Sequence, residues 1–260
     1  MRLWKAAWPK LAALGLALSM WQLVVWSHWK PDYVLPGPRV VLPQLVADVG
    51  NGKLVTAVSI TLRRALTGYA IAALVGLAIG TVVSRWKTLR VAFGSLITGL
   101  QTMPSIAWFP LAILLFQKSE GAIMFVVVLG AAPAIANGVI SGSDHVPPLL
   151  TRAGAALGAR GLNLYRTVTL PASLPSVLGG LKQGWAFAWR SLMAGELLVI
   201  IAKSPSIGVR LQNARDLADA PQLMATMIVI LVIGICVDSL VFATAEHAVR
   251  KRWGLIDPSQ

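Results

Sequence analysis

Several stretches of this chain run for about 20 residues with scarcely a charge, the length an α-helix needs to cross the ~30 Å hydrocarbon core of a bilayer. In lipid every backbone N–H and C=O must be satisfied within the protein, so such stretches fold as helices. Six can be drawn: about Leu11 to Trp26, Ala65 to Ser84, Phe93 to Phe116, Ala122 to Ser141, Pro175 to Ile201 and Leu223 to Ala245. A mixed segment from Pro43 reads as an interfacial helix ahead of the second. Charged residues are 13% of the 260, against about a quarter in a soluble domain. The expectation is one all-α, polytopic membrane domain over 1–260, with a core at about 55–245. The basic, apolar N-terminus resembles a secretory signal. Its run ends in Trp26, His28 and Trp29 instead of small residues, so it reads as an uncleaved first helix.

The basic residues then orient the chain. Arg2, Lys5 and Lys10 precede the first span; Arg85, Lys87 and Arg90 follow the second; Arg152, Arg160 and Arg166 lie between the fourth and fifth; Arg250, Lys251 and Arg252 follow the sixth. With six spans all four clusters fall on one side, which the positive-inside rule makes the cytoplasm, with both termini there. The other side mixes Lys118, Lys203, Arg210 and Arg215 with Glu120, Asp216 and Asp219. A net charge of +13 reads as helix flanks, and nucleic acid is not expected as a partner. The single cysteine, Cys236, lies in an apolar run and reads as packing.

The second span places Gly68, Ala72, Gly76, Gly80 and Ser84 at every fourth position, one face of a helix, where small residues let backbones approach closely in lipid. In the third, Pro104 and Pro110 each withhold a donor and are expected to kink or break the helix. Pro133 and Asn137 in the fourth are similar in kind. Broken helices beside polar side chains point to a pathway, because protein or water must cover the freed carbonyls; plain helix kinking explains them as well. Ionisable residues within spans carry functional hypotheses. Arg190 and Glu196 lie in the fifth span and Asp238 in the sixth, with Lys182 on nearly the same face as Arg190. Arg63 and Arg64 stand where the second span enters from the outer side. Two readings of Arg190 stay open: it favours an oxyanion in the pathway, as a guanidinium fork does, or it neutralises Glu196 or Asp238.

Residues 151–176, TRAGAALGARGLNLYRTVTLPASLPS, are long for a connection between helices. The spacing predicts a short helix, a break at Gly158 to Gly161, and a second short helix before Leu170-Pro171. Leu157, Leu162, Leu164, Tyr165 and Val168 supply apolar anchors. Such a knob suits a groove on a partner protein, or a lipid headgroup surface.

Gly158, nine residues, Val168, one residue, then Leu170-Pro171 resembles the coupling motif of bacterial ABC importer permeases: Glu-Ala-Ala, three residues, Gly, nine residues, Ile, one residue, Leu-Pro. In this chain Arg152, Ala153 and Gly154 occupy the Glu-Ala-Ala positions. Most of the chain resembles the permeases of the nitrate, aliphatic sulfonate, taurine and bicarbonate group. Met103-Pro104-Ser105-Ile106-Ala107-Trp108-Phe109-Pro110-Leu111 is similar to their third helix, Ala188-Trp189 with Ala194-Gly195-Glu196 to their fifth, and Val249-Arg250-Lys251-Arg252-Trp253 to their end. At Phe116-Gln117-Lys118-Ser119-Glu120 the chain departs from their usual Phe-Gly-x-Gly-Glu.

The resemblance implies a type I ABC importer permease fold of six transmembrane helices with a cytoplasmic coupling segment at about 148–170, in a bacterial inner membrane. It implies coupling to a separate ATPase through Arg152, Ala153, Gly154, Gly158, Ala159, Val168, Leu170 and Pro171. It implies a substrate pathway involving Arg63, Arg64, Met103, Pro104, Trp108, Asn137, Trp189, Arg190 and Glu196. The implied partners are two ATPase subunits, an external binding protein and a second permease chain, and the cargo is a small anion or, alternatively, a small organic such as a thiamine pyrimidine precursor. ATP and Mg would be bound by the ATPase, because the chain has no G-x-x-x-x-G-K-[ST] loop. It has no H-E-x-x-H and no cysteine pair, and is not expected to be an enzyme. A secondary transporter would require matched inverted repeats; none is evident. A non-transporting membrane scaffold is the remaining alternative.

Overall fold

A computed structural model describes residues 2–201 and 204–252, so Lys203 and Trp253 lie outside the described residues. Every regular element among them is helical: α1 (Arg2–Trp26), α2 (Pro38–Gly50), α3 (Lys53–Arg85), α4 (Lys87–Thr102), a 3-10 turn (Ser105–Trp108), α5 (Phe109–Phe116), α6 (Glu120–Asp144), α7 (Pro148–Ala156), α8 (Gly161–Leu164), a π stretch (Tyr165–Thr169), α9 (Leu170–Leu198), α10 (Ile207–Asp216), α11 (Ala220–Val237), a second π stretch (Asp238–Phe242) and α12 (Ala243–Arg252). Two compact units divide the chain, one of Met1–Ile60 with Ser204–Leu231, the other of Thr61–Lys203 with Val232–Gln260.

Helices stand at all six expected positions, but they are not alike. Lys53–Arg85, Glu120–Asp144 and the run Ala220–Arg252 are each long and apolar enough to span a membrane. The apolar part of α1, Leu11–Trp26, is shorter. Helix α9 is long but carries Lys182, Arg190 and Glu196. The expected third span is a bent pair, turning by 99° between Lys87–Thr102 and Ser105–Phe116. The cause is local. Proline disfavours the helical conformation in the residue before it, and Met103 is extended at φ −71°, ψ 128°. Pro104 follows at φ −58°, ψ 125°. Pro110 does not break anything, contrary to expectation: it falls in the first turn of α5, where its missing N–H has no partner to lose.

In the first unit, Trp21 Nε1 of α1 donates to Pro36 O at 3.2 Å. Asp48 of α2 forms a largely buried ion pair with Arg210 of α10. Ser206 caps α10, accepting from Val209 N, and Asp219 Oδ1 accepts from Gln222 N at 3.0 Å at the start of α11. This connection, expected as an outer loop, is thus largely helical. The interfacial helix expected from Pro43 begins earlier, at Pro38, a proline that suits a helix's first turn.

In the second unit α6 is the central helix, with both faces largely buried. The small-residue face of α3 meets it: a Cβ on Gly76 would stand 2.7 Å from Ala132 O, and one on Gly80 2.7 Å from Val139 Cβ. Helix α9 packs along α6 on a second seam of small residues, where a Cβ on Gly138 would stand 2.5 Å from Gly180 Cα and one on Gly142 3.0 Å from Ser173 O. Cys236 is exposed and not packed, because a membrane helix also turns apolar faces outward.

Candidate functional site

The segment expected to couple, α7 to the start of α9, is built by glycine. Helix α7 ends with Gly158 N donating to Ala155 O and Ala159 N to Gly154 O, both at 3.0 Å, the paired bonds of a Schellman termination. Gly158 adopts φ +92° and Gly161 φ +55°, left-handed values that cost a side-chain-bearing residue strain. The chain then doubles back so that Val168 covers Gly154: a Cβ there would stand 2.7 Å from Val168 Cγ2 and 2.9 Å from Leu164 Cδ1. The small residue at position 154 and the aliphatic residue at 168 are therefore one packing contact. Arg152 and Ala153 are exposed, Ala159 is half-buried, and Leu170 and Pro171 lie at the start of α9. The second short helix does not stop at Leu170-Pro171. It runs through the π stretch into α9, which begins at Leu170 and not near Pro175. The wider turn falls where Pro171 has no N–H to return to Thr167 and its ring crowds that carbonyl.

The bend opens a cavity of about 220 Å³, lined by Gln101, Met103, Pro104, Ser105, Phe187 and Arg190 among others. Asn137 Nδ2 of α6 donates to Gln101 Oε1 at 3.3 Å, so Met103, Pro104, Asn137 and Arg190 gather in one neighbourhood. Arg190 is exposed; its Nε donates to Ala186 O at 3.1 Å, and its guanidinium lies 4.6 Å over the Phe187 ring. No carboxylate among the described residues pairs with it. Trp189 is buried and stacks on Trp185 with centroids 6.2 Å apart. Arg190 also borders a cavity of about 510 Å³ with Lys182, Trp185, Trp189 and Gly234. Trp108 is half-buried in the 3-10 turn and does not line the cavity at the bend.

The two carboxylates proposed as alternatives for Arg190 go elsewhere. Lys182 Nζ lies 3.2 Å from Asp238 and 3.7 Å from Glu246. Glu196, fully buried, accepts from Arg64 Nη1 at 2.9 Å and from Thr61 Oγ1, 2.9 Å from Oε2. Arg64 also donates from Nε to Glu120 at 2.8 Å and pairs with it through Nη2. So Arg64 ties α3 to the start of α6 and to the last turns of α9, while the adjacent Arg63 is exposed. At the far end of α3, Arg85 Nη1 reaches Gly161 O at 3.5 Å. Nearby, Arg90 pairs with Asp144 and donates to Ile140 O at 3.2 Å. About 30 Å of helix separates Arg64 from Arg85 at ~1.5 Å per residue, matching the bilayer core.

The family model described as "Binding-protein-dependent transport system inner membrane component" matches residues 46–253. The chain is 30% identical to a Methanocaldococcus jannaschii protein described as an ABC transporter permease, over 88% of this chain and 86% of that one. It is 25% identical to the taurine transport system permease of Escherichia coli (90% and 88% covered). It is 28% identical to a nitrate import permease of Synechococcus elongatus (73% and 71%). Among solved structures, the inward-facing MetNI methionine ABC transporter superposes with a TM-score of 0.66 at 17% identity, covering 76% of this chain and 96% of that one.

Proposed function

The chain belongs to the family of binding-protein-dependent transport system inner membrane components, and from that premise we propose that it is the permease through which an ATP-driven importer moves a small anion. The observation that carries the anion reading is Arg190: a guanidinium with no carboxylate partner among the described residues, at a cavity opened by the Met103-Pro104 bend. A guanidinium binds oxyanions in a fork geometry, and relatives named for taurine, nitrate and aliphatic sulfonate import fit such a cargo. An external binding protein delivers the substrate. Two copies of the chain form the pathway across the bacterial inner membrane, with both termini in the cytoplasm. The segment of α7, α8 and the π stretch docks on a separate ATPase, which binds ATP and Mg, and passes its closure to α9 through an unbroken helix. This chain performs no hydrolysis itself.

The test is reconstitution of the chain with its ATPase and binding protein in vesicles. Uptake of taurine, nitrate or an alkyl sulfonate is expected to require ATP and the binding protein. Deleting residues 152–166 is expected to abolish ATPase co-purification while membrane insertion persists. Normal co-purification after that deletion contradicts the coupling role.

A further inference from the structure

The surface of the coupling segment carries charge of one sign. Between Asp144 and Glu196 the sequence contains no acidic residue, and Asp144 is engaged by Arg90. Arg152, Arg160 and Arg166 are all exposed, and no carboxylate pairs with them among the described residues. Interleaved with them are bare apolar side chains: Leu157 is 89% exposed, Leu149 75% and Leu162 59%. The backbone presenting them is fixed, because Gly154 is closed against Val168 and Leu164 and the turn is set by Gly158. A rigid knob with leucine anchors and unmatched guanidinium groups is complementary to an apolar groove with carboxylates at its edge.

We propose that the groove on the ATPase subunit that receives this segment is acidic, with a carboxylate paired to Arg152. The proposal rests on the coupling role given above and names the chemistry of that partner. Guanidinium groups pair with carboxylates bidentately when desolvated, so the contact selects an ATPase with that carboxylate and rejects one presenting a cation at the same point. An anionic lipid surface would satisfy the same arginines, and the experiment separates the two.

The full chain is coexpressed with its ATPase, and the ATPase recovered with the purified permease is measured, alongside binding to vesicles with and without anionic lipid. Arg152→Glu is expected to lower ATPase recovery at least ~10-fold, within the range for reversing one charge of a close interfacial pair, while Arg152→Lys, which keeps the charge and loses the fork, is expected to fall between. Changing the facing ATPase carboxylate to Lys restores recovery with Arg152→Glu, a rescue that a misfolded variant would not give. Wild-type recovery with Arg152→Glu, or a loss that no carboxylate-to-Lys change restores, overturns the proposal. So does unaltered ATPase recovery with loss of binding to anionic vesicles only. If the 152–166 deletion still recovers ATPase, the coupling role itself fails. If the deletion abolishes recovery and Arg152→Glu does not, only the acidic groove fails.

Discussion

Arg64 donates from Nη1 to Oε1 of Glu196 at 2.9 Å, joining two residues 132 positions apart inside the helical core. The carboxylate is fully buried and the guanidinium nearly so. Removing one partner of a buried pair costs about 3–5 kcal/mol, because the other charge keeps its desolvation penalty. Arg64→Leu is therefore expected to lower the melting temperature in detergent most. Thr61→Val, which removes one hydrogen bond to the same carboxylate, is expected to cost about 1.5–3 kcal/mol. Lys182→Leu removes the partner of Asp238 and Glu246, both at least a third exposed, and is expected to cost less than Arg64→Leu, whose carboxylate partners include the fully buried Glu196. A series in which Lys182→Leu lowers the melting temperature more than Arg64→Leu contradicts this ordering.

Gln117 stands at φ 57°, ψ −161° between α5 and α6. That region belongs essentially to glycine and costs other residues about 1–3 kcal/mol. Gln117→Gly is expected to raise thermal stability, an uncommon direction for a substitution to glycine. An unaltered or lower melting temperature contradicts the strain.

Helices α6 and α9 touch through backbone at Gly138 and Gly180. Gly138→Val has no room for its side chain and is expected to cost at least about 1–3 kcal/mol through overpacking, seen as loss of the monodisperse peak on gel filtration. Gly179, one position along, has open space where a methyl group would stand, with nothing within 4 Å, so Gly179→Ala is expected to behave as wild type.

Gly154→Val displaces Val168 and Leu164, which close over Gly154 in the segment proposed to couple. Insertion and size-exclusion behaviour are expected to persist while ATPase co-purification falls. Full recovery of ATPase with this variant shows that the Gly154 contact does not shape the docking surface.

Much of this is legible in the residues. The every-fourth spacing of Gly68, Ala72, Gly76 and Gly80 announces a close helix contact, and α6 supplies it. Pro104 announces the break, because a residue before proline leaves the helix; Pro110 misleads, because position within a helix decides what a proline does. The matching seam through Ser173, Gly180, Gly184 and Ser191 follows nearly the same spacing and is as readable in principle, as is Ser206 heading α10; neither figures in the expectations above. The partner of Glu196 is out of reach of the sequence. One-dimensional spacing cannot say which of Arg63 and Arg64 faces inward, nor bring α3 beside the end of α9. Only packing of the glycine seams fixes that face, and it turns Arg64 inward and leaves Arg63 outside.

The most direct measurement of the central claim is ATP-driven uptake of a small oxyanion into vesicles holding the chain, its ATPase and its binding protein, compared for wild type, Arg190→Lys and Arg190→Gln. If Arg190 meets the substrate, Arg190→Gln is expected to reduce uptake at least ~10-fold, the loss of one charge-assisted contact. Arg190→Lys is expected to fall between, because an ammonium keeps the charge and loses the fork. Uptake by Arg190→Gln at wild-type rate and half-saturation would contradict the account.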